Sequence, residues 1–427
     1  MLVTALVTAQ AIFNIRLRLF LWEDPEHAGL NRAPSTYRAP KHSFTILLPA
    51  RHERDVYRET IQRIYDLDYP KALMQIIAIC REDDPETIEQ ALIKINELND
   101  PNIQLLIFND QPINKPHGLN LALKVSQGDV VTIFDAEDDP HSDILNVVNT
   151  TLIDEEVDVV QGGVQLMNHD TKWFSVLNVL EYFFWFKSSL HFFARIGMIP
   201  LGGNTVFVRR ELLERLGGWD ENCLTEDADL GIRLSLVHAR IRVFYGDAFV
   251  TREETPHSVA QFIRQRSRWN QGFLQILFKG DWLGLDRFGQ RMLALYVLVM
   301  PEVQACFALL IPVSVATFFI HFPLWIAMIT FAPLYCLVLA IFIDLVGLAE
   351  FTKAHDRRWR WRDAITLVVT FFPYQAILGF ASMRAVYRQL RGASNWEKTA
   401  HVGRHRDTNG GDIRGVGVGQ TEPLKSA

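Results

Sequence analysis

Short apolar runs alternate with amphipathic stretches between residues 43 and 278 of the chain. The apolar runs are four to eight residues long and rich in β-branched and aromatic side chains, which is typical of buried strands. Strands that alternate with helices predict a largely parallel sheet with helices on both faces. The predicted strands are Phe44–Pro49, Gln75–Cys80, Ile103–Phe108, Val130–Phe134, Val159–Leu166, Thr205–Val208 and Ile241–Tyr245. The predicted helices between them are Val56–Leu67, Glu86–Leu98, Leu119–Val125 and Asp143–Ile153.

Longer apolar runs follow this alternating region. Met292–Ile320 has Glu302 as its only charged residue, Leu324–Ile343 follows after a gap of three residues, and Ala364–Ala381 carries no charge. Each run is long enough to approach or cross a hydrocarbon layer about 30 Å thick. A large buried core helix is the alternative, but the very short gap between the first two runs argues against it. The sequence therefore predicts a membrane protein.

The apolar run at the N-terminus is shorter. Met1–Phe13 would rise only about 20 Å as a helix. Arg16 and Arg18 follow this run, whereas a secretory signal places its basic residues in front. We therefore expect an N-terminal membrane anchor with its basic end in the cytoplasm. The predicted domains are an anchor and linker (1–42), a cytosolic α/β domain with interfacial helices (43–278), transmembrane or interfacial helices (279–390) and a partly disordered C-terminal tail (391–427).

The composition of the chain argues against several classes of protein. The chain has 427 residues, a formal charge of −6 and a mean hydropathy of +0.06. Its length provides for two or three units with a substantial core. The mild acidity argues against a nucleic-acid partner, because phosphate binding requires a basic surface. The cysteines lack the spacing of a disulfide framework or a zinc site; they are Cys80, Cys223, Cys306 and Cys336.

Acidic residues follow three of the predicted strands at the point where each strand ends. Glu53 follows the first strand, Glu82 and Asp84 follow the second, and Asp135 and Glu137 follow the fourth. Each cluster taken alone is more often a loop or a helix cap than a site. Because the carboxyl ends of parallel strands meet at one edge of a sheet, these carboxylates should converge and repel one another unless a cation lies among them. Hard oxygen ligands of this kind suit Mg²⁺ or Mn²⁺.

Two motifs near predicted helix starts add candidate chemistry. Lys115 lies in KPHGLN, where a lysine and a glycine turn can position a phosphate, although a simple turn has the same pattern. Thr225 resembles an N-cap that places Glu226 and Asp227 in the first helical turn. Acids there can merely complement the helix dipole, but an ionised carboxylate can also serve as a general base.

The segment QRSRW lies on a probable helix that begins near Pro256. Arg266 and Trp269 are three residues apart and share a face, while Gln265 and Arg268 can line another face together with Trp269. Two arginines can hold a leaving diphosphate, and an indole ring can stack on a sugar.

This succession of motifs resembles the processive family 2 glycosyltransferases, the group that includes cellulose, hyaluronan, chitin and glucomannan synthases. The motifs are PARHE, REDD, KPHGLN, DAEDDP, LGGNT, TED and QRSRW, in this order between residue 43 and about residue 275. DAEDDP and the tail motif at Trp396–Thr399 are most similar to bacterial glucan-synthase-like members. The resemblance implies an α/β GT-A fold, that is, a mostly parallel nucleotide-sugar-binding sheet with helices on both faces, followed by an α-helical transmembrane region.

The resemblance also implies roles for particular residues. The implied nucleotide-sugar contacts are Pro49, Glu53, Glu82, Asp84, Lys115 and Asp135. The implied acceptor and diphosphate contacts are Gly202, Gly203, Gln265, Arg266, Arg268 and Trp269. Asp135 and Glu137 would hold Mg²⁺ or Mn²⁺, although Glu137 departs from the second aspartate of the D-x-D pattern and leaves Asp138 as a competing ligand. Asp227 would be the catalytic base, with Glu226 beside it.

The activity implied is hexosyl transfer from a nucleotide sugar to a growing polysaccharide that is fed across the membrane. One base and one displacement invert the anomer, so an α-linked donor yields a β-linked product. UDP-glucose is the first choice of donor, GDP-mannose the second, as in a (gluco)mannan synthase, and UDP-N-acetylglucosamine the third. The alternatives are a non-processive enzyme that transfers one sugar to a lipid carrier, and an inactive scaffold or export partner. Intact Asp135, Asp227 and Trp269 argue against the scaffold.

The distribution of charge predicts a multi-pass protein of the cytoplasmic (inner) membrane with a cytosolic catalytic domain. The arginine-rich loop 353–362 should lie in the cytosol. Ala364–Ala381 is then predicted to be interfacial or re-entrant and broken at Pro373, because a complete span would place the arginines that follow it outside. The aromatic stretch Trp173–Phe193 fits an interfacial helix between the catalytic domain and the bilayer, with a buried core helix as the alternative.

Overall fold

The computed structural model describes residues 2–317, 319–320, 323 and 332–393. The strands are β1 (Phe44–Pro49), β2 (Met74–Arg81), β3 (Ile103–Phe108), β4 (Val130–Ile133), β5 (Val159–Gly162), β6 (Val164–Leu166), β7 (Val206–Arg209), β8 (Ile241–Phe244) and β9 (Thr251–Glu253). The helices are α1 (Leu2–Leu19), α2 (Pro25–Gly29), α3 (Tyr57–Tyr65), α4 (Pro85–Leu98), α5 (Lys115–Leu123), α6 (Ile144–Asp154), α7 (Ser175–Phe184), α8 (Leu190–Ile196), α9 (Arg210–Arg215), α10 (Glu226–Leu236), α11 (Val259–Lys279), α12 (Phe288–Thr317), α13 (Ala332–Ala354) and α14 (Trp361–Leu390).

Seven strands form one sheet in the order β3-β2-β1-β4-β7-β5-β8. Neighbouring strands are parallel except at β7, which runs antiparallel to both β4 and β5. The first strands are apolar runs buried on both faces, as parallel strands covered by helices must be. The predicted, largely parallel sheet is therefore confirmed. Since β2, β1 and β4 are adjacent, their carboxyl ends lie side by side.

The predicted strand Val159–Leu166 is wrong as a single element. It consists of two strands in different sheets, because β5 pairs with β8 in the large sheet whereas β6 pairs in parallel with the short strand β9. The change of sheet occurs at Gly163, where a Cβ atom would lie only 2.8 Å from the ring of Tyr245. This close approach requires glycine and lets the chain turn towards the second sheet.

Two apolar cores cover the faces of the sheet. One is closed by α3 and α6 and includes Tyr57, Ile64 and Val148. The other continues from the sheet through α7 and α8 into α13 and α14, so that Phe183 and Phe351 belong to the same core. The aromatic stretch Trp173–Phe193 thus lies between the seven-stranded sheet and the long apolar helices.

In the part of the chain that the structure describes, three helices are long and apolar enough to cross a membrane: Thr4–Trp22, Ala332–Ala354 and Trp361–Leu390. The N-terminal run is therefore longer than expected. It continues through Arg18, whose guanidinium lies 2.6 Å from the Asp344 carboxylate on α13. This ion pair offsets the charge that should have ended the apolar segment.

The predicted break at Pro373 is also wrong, because α14 is continuous from Trp361 to Leu390. Pro373 cannot donate one helical hydrogen bond. The face formed by Tyr374, Leu378 and Ala381 is nevertheless buried, and the Ser267 hydroxyl on α11 donates to the carbonyl of Ala381 at 3.0 Å. Packing against α11 and α12 therefore maintains the helix through the proline. The tail motif Trp396–Thr399 and residues 324–331 of the second apolar run lie outside the described residues.

Candidate active site

A cavity of about 1390 Å³ opens at the carboxyl ends of β1 and β4 and continues between the apolar helices. Most of the residues singled out from the sequence line it: Pro49, Glu53, Lys115, Asp135, Glu137, Gly202, Gly203, Glu226, Asp227, Gln265, Arg266, Arg268 and Trp269. Residues of α1, α12, α13 and α14 line its other end. The convergence expected from strand order is therefore present in the structure.

Two of the predicted nucleotide contacts, Glu82 and Asp84, are not part of the cavity wall. Glu82 is exposed on the loop after β2. Asp84 is the N-cap of α4, and its carboxylate also accepts a hydrogen bond from the backbone N–H of His52 at 2.5 Å. Asp84 thus holds the PARHE loop against the REDD loop. A direct contact of these two acids with a nucleotide stays a prediction.

Lys115 is the first residue of α5, so this helix begins earlier than predicted. The side chain of Asn114 caps the helix by accepting the N–H of His117 at 2.9 Å. The Lys115 ammonium lies 2.6 Å from the Asp135 carboxylate. Burial alone would lower the pKa of Lys115, but Asp135 and Glu226 outweigh it and raise that pKa. A fixed cation therefore lies beside the acids that follow β4.

The DAEDDP segment sends its acids in different directions. Asp135 and Glu137 face the cavity. Asp138 is fully buried, and its carboxylate accepts hydrogen bonds from the N–H of Asp135 at 2.7 Å and from the Asn204 amide at 2.8 and 2.9 Å. Burial raises the pKa of Asp138, and Glu253 adds to the increase. Asp138 therefore supports the turn, which leaves Glu137 as the acid that can join Asp135 at a metal.

The donor set fits a divalent cation shared with a substrate. Within the described ranges, no group of three or more histidine, cysteine, aspartate or glutamate side chains has the geometry of a complete metal site. Mg²⁺ commonly takes only one or two carboxylates and completes its shell with phosphate oxygens and water. Asp135 and Glu137 are two such carboxylates on one wall of the cavity.

Glu226 and Asp227 begin α10, as predicted. Thr225 is the N-cap residue, but its side chain makes no capping hydrogen bond. Burial raises the pKa of Asp227, although the N–H of Ala228 and the cations Lys115 and Arg268 act in the opposite direction. Burial therefore has a larger effect on the pKa of Asp227 than the N–H groups at the start of the helix. Burial likewise raises the pKa of Glu226, to about 7.

Gly203 leaves room for the Asp227 carboxylate. A Cβ atom at Gly203 would lie 3.2 Å from Asp227 Oδ2. A Cβ atom at the neighbouring Gly202 would approach the ring of Phe186 to 2.9 Å. The glycine pair therefore lets the backbone pass close to the two acids without covering them.

The two arginines of QRSRW have different surroundings. Arg266 donates to Asn178 at 2.7 Å and to Glu181 at 2.5 Å, and its guanidinium lies 4.7 Å from the centre of the Trp269 ring. Glu181 also accepts the Tyr374 hydroxyl of α14 at 2.7 Å. Arg266 is thus part of a buried network beneath Trp269.

Arg268 instead faces the acid cluster. Burial lowers the pKa of Arg268, while the carboxylates Glu226, Asp135 and Asp227 counteract that decrease. These three acids therefore lie within electrostatic reach of its guanidinium. Of the two arginines, Arg268 is better placed to meet an anionic group bound beside Asp135.

Two polar residues of the cavity wall, Glu253 and Asn204, were not singled out from the sequence. Glu253 lines the cavity, and burial together with Glu137 raises its pKa to about 8. Asn204 donates to both Glu253, at 2.5 Å, and Asp138. Glu253 ends β9, a strand of three residues that is too short to show an alternating pattern. The pair Glu253-Glu254 was the signal available, since it follows an apolar run as the other acid clusters do.

Comparison with known proteins agrees with this geometry. The family described as "Glycosyltransferase like family 2" matches residues 40–272, more than half of the chain. The probable glycosyltransferase YdaM of Bacillus subtilis is 28% identical over 245 residues, which cover 55% of this chain and 56% of YdaM. The beta-monoglucosyldiacylglycerol synthase of Trichormus variabilis is 28% identical over 266 residues, covering 60% of this chain and 56% of the synthase. The chain thus spans about half the length of these curated relatives.

One solved structure has the same architecture. The mannosyltransferase PcManGT from Pyrobaculum calidifontis, in complex with GDP-Man and Mn²⁺, matches with a TM-score of 0.51 and 18% identity. The match covers 91% of this chain and 99% of that chain. It confirms the GT-A fold predicted for the catalytic sheet.

Proposed function

The chain belongs to glycosyltransferase family 2, and on this premise we propose that it is an inverting, metal-dependent hexosyltransferase acting on a lipid hydroxyl. The observation that carries the proposal is the continuity of the cavity. One cavity contains Asp135 and Asp227 and also extends between the apolar helices. A lipid acceptor can therefore keep its chains among these helices while its hydroxyl reaches the acids.

The lining of the helical end fits acyl chains. Side chains from α1, α12, α13 and α14 form it, and most of them are apolar; they include Val7, Ala11, Val297, Met300, Leu334, Leu337, Ala340, Phe371 and Leu378. Apolar walls stabilise acyl chains through the hydrophobic effect. They offer a hydrated sugar chain few hydrogen-bond partners.

The charges at this end favour an uncharged acceptor. The Arg18 guanidinium lies 2.6 Å from Asp344, and the Arg266 guanidinium lies 2.5 Å from Glu181. Each cation is thus balanced by a carboxylate. A lipid phosphate would have to compete with these carboxylates, whereas a neutral glycerolipid would not. The name of the Trichormus relative, which specifies a glucosyl group on diacylglycerol, supports the same class of acceptor.

The other end of the cavity fits a nucleotide sugar. Lys115 and Arg268 supply positive charge beside Asp135, where a diphosphate would bind. Mg²⁺ or Mn²⁺ held by Asp135 and Glu137 would neutralise charge on the departing diphosphate. We propose UDP-glucose as the donor and GDP-mannose as the next candidate. Trp269 and Tyr182, whose ring centres are 6.4 Å apart, offer a surface on which the transferred sugar can stack.

The proposed chemistry is a single displacement. Asp227 accepts the proton of the acceptor hydroxyl as the hydroxyl oxygen forms a bond to the anomeric carbon. The bond from that carbon to the nucleoside diphosphate breaks at the same time, and the configuration inverts. Lys115 and Arg268 stabilise the negative charge that develops on the leaving group.

A second candidate is processive synthesis of a β-linked polysaccharide. The observation that favours it is the pairing of TED with QRSRW, which brings Asp227 and Trp269 into one cavity. This is the function implied by the resemblance to cellulose and glucomannan synthases. The same cavity would then guide a polymer between the helices.

The form of the product distinguishes the two functions. Membranes containing the chain should convert radiolabelled UDP-glucose and added diacylglycerol into one chloroform-soluble product of fixed mobility. The same assay with Asp227→Asn membranes is the control. A ladder or a water-soluble polymer that glucanase digests would instead establish processive synthesis.

Arg266 should position Trp269 rather than bind the diphosphate. Arg266→Ala removes the hydrogen bonds to Glu181 and Asn178 and the stacking on Trp269. We expect the KM for the lipid acceptor to rise about tenfold, with little change in the KM for the donor. Tyr374→Phe, which removes one hydrogen bond to Glu181, should give a smaller change in the same direction. Steady-state kinetics with each substrate varied separately measures both effects.

Arg264→Ala is the matched control, because Arg264 is exposed on the same helix. It should leave both KM values unchanged. A selective rise in the KM for the donor in Arg266→Ala would contradict the assignment and make Arg266 a diphosphate ligand.

The rate should depend on pH through Asp227 of α10. A general base must be deprotonated, and burial raises the pKa of both Asp227 and Glu226. The kcat should therefore fall with decreasing pH as Asp227 is protonated, at a higher pH than an ordinary aspartate would require. Glu226→Gln should keep this acidic limb, because the negative charge of Asp227 helps to raise the pKa of Glu226 to about 7, so Asp227 loses its proton first. A profile of kcat from pH 5 to 9 tests this, and loss of the limb in Glu226→Gln would make Glu226 the base.

A further inference from the structure

A basic loop rich in tryptophan joins α13 to α14. Residues 353–362 read KAHDRRWRWR, so five basic residues and one aspartate occur within ten positions of a chain whose formal charge is −6. Both flanking helices are candidate membrane spans. Their connected ends therefore lie at the level of a membrane surface.

The side chains of the loop are arranged as those of an interfacial site. Trp361 is 77% exposed and Trp359 is 37% exposed, with ring centres 6.2 Å apart. Lys353 and Arg358 are exposed, as is 68% of the Arg362 side chain. We call these five residues the basic patch. Tryptophan rings partition to the headgroup level of a bilayer, and basic residues there attract anionic lipids.

The loop is fixed to the catalytic domain. The Arg360 guanidinium lies 2.5 Å from Asp170, and Nε2 of His169 lies 3.5 Å from the Asp363 carboxylate. Both partners follow β6, and the N–H of Met167 in the same segment donates to the carbonyl of Glu253 at 2.9 Å. The basic patch is therefore held on the same side of the helices as the catalytic domain, and it is linked through a short segment to the strand that carries Glu253.

We propose that the basic patch binds the headgroups of anionic phospholipids in the leaflet that faces the catalytic domain. The charge supports this occupant, because exposed cations dominate a patch whose tryptophans match the headgroup region. Arg360 holds the loop through Asp170, and Arg362 lies 3.9 Å from Asp363 while most of its side chain stays exposed. The exposed members of the patch can therefore face the lipid. Anionic lipids should therefore be enriched around the connected ends of α13 and α14. Their binding should stabilise the segment after β6, which is hydrogen-bonded to Glu253.

Lipid-selective quenching of tryptophan fluorescence tests the proposal without reference to catalysis. The full chain is reconstituted in vesicles of 70% phosphatidylcholine and 30% phosphatidylglycerol, with brominated acyl chains on one lipid at a time. Quenching per brominated lipid should be greater with phosphatidylglycerol. Arg358→Gln/Arg362→Gln should reduce this excess several-fold, since each basic residue near an anionic leaflet contributes roughly a factor of five to binding.

Lys124→Gln/Arg240→Gln is the matched control. It removes the same charge from exposed positions on the segments that precede β4 and β8, and it should keep the excess. Trp359→Phe/Trp361→Phe should lose most of the excess, which places the quenched rings in the patch. Equal quenching by both lipids in the unaltered chain, or an excess that persists in Arg358→Gln/Arg362→Gln, would overturn the proposal.

Activity provides a second measurement. Transfer by the unaltered chain should be faster in the mixed vesicles than in pure phosphatidylcholine, and Arg358→Gln/Arg362→Gln should lose that difference. A chain that shows lipid-selective quenching but transfers no sugar would disprove the proposed function while the lipid site stands.

Discussion

Asp227→Asn should lower sugar transfer by about 10²- to 10⁴-fold, the usual effect of removing a positioned general base. The variant keeps the shape of the side chain and the N-terminal turn of α10. Nucleotide affinity should be retained, because Lys115, Arg268 and the divalent cation that Asp135 would hold supply the positive charges that we propose bind the diphosphate. Transfer rates and nucleoside-diphosphate binding, measured on the same purified protein, test the assignment.

Glu226→Gln is the comparison for this variant. It removes the neighbouring carboxylate and should lower the activity less, because the carboxylate that lies next to Gly203 in the cavity is that of Asp227. Near-normal transfer by Asp227→Asn would refute the assignment. Loss of nucleotide binding would instead make Asp227 a ligand or a structural residue.

Removing the divalent cation should abolish transfer. Chelation leaves Asp135, Glu137 and a bound diphosphate close together, with only part of their negative charge offset by Lys115 and Arg268. Activity should fall by at least 10²-fold in excess chelator and return when Mg²⁺ or Mn²⁺ is added in excess. Full activity after exhaustive chelation would show that Lys115 and Arg268 suffice for the leaving group.

Two variants assign the metal to particular acids. Glu137→Gln should raise the Mn²⁺ concentration for half-maximal rate at least tenfold, because a ligand is lost. Asp138→Asn should leave that concentration nearly unchanged and lower the free energy of unfolding by about 1–3 kcal/mol, because Asp138 is buried in hydrogen bonds to Asn204 and Asp135. The opposite pattern would exchange the roles of the two acids.

The sequence predicted the first half of the sheet well for a clear physical reason. Strands β1 to β4 are apolar runs bounded by polar loops, so each run coincides with an element. The change of sheet at Gly163 depends on its contact with Tyr245, which lies 82 residues further along the chain. The residues around Gly163 therefore show no pattern that predicts the change. Continuity of α14 through Pro373 likewise depends on packing against α11 and α12, whereas the sequence around the proline predicts a break.

In the candidate site, too, the residues with a local sequence signal were predicted, and those that depend on distant contacts were not. Residues next to strand ends, such as Asp135 and Glu53, were found because topology brings those ends together. The different surroundings of Arg266, which lies in a buried network, and Arg268, which faces the acids, could not be predicted from the sequence. They depend on Glu181, which lies on another helix far away in the chain. Glu82 and Asp84 also follow a strand, yet they do not line the cavity, because Asp84 accepts the N–H groups of His52 and Thr87.

Helix α11 belongs at once to the cavity and to the helical bundle. One face presents Arg268 and Trp269 to the cavity, while Ser267 and Gln271 are buried on the side that meets α14 and the segment after it. A protein shortened to end after α11 would expose that side to water and lose those hydrogen bonds. The catalytic half should therefore unfold together with the helices in a single cooperative transition, and a detergent that disperses the helices should inactivate the enzyme even though it never reaches the nucleotide.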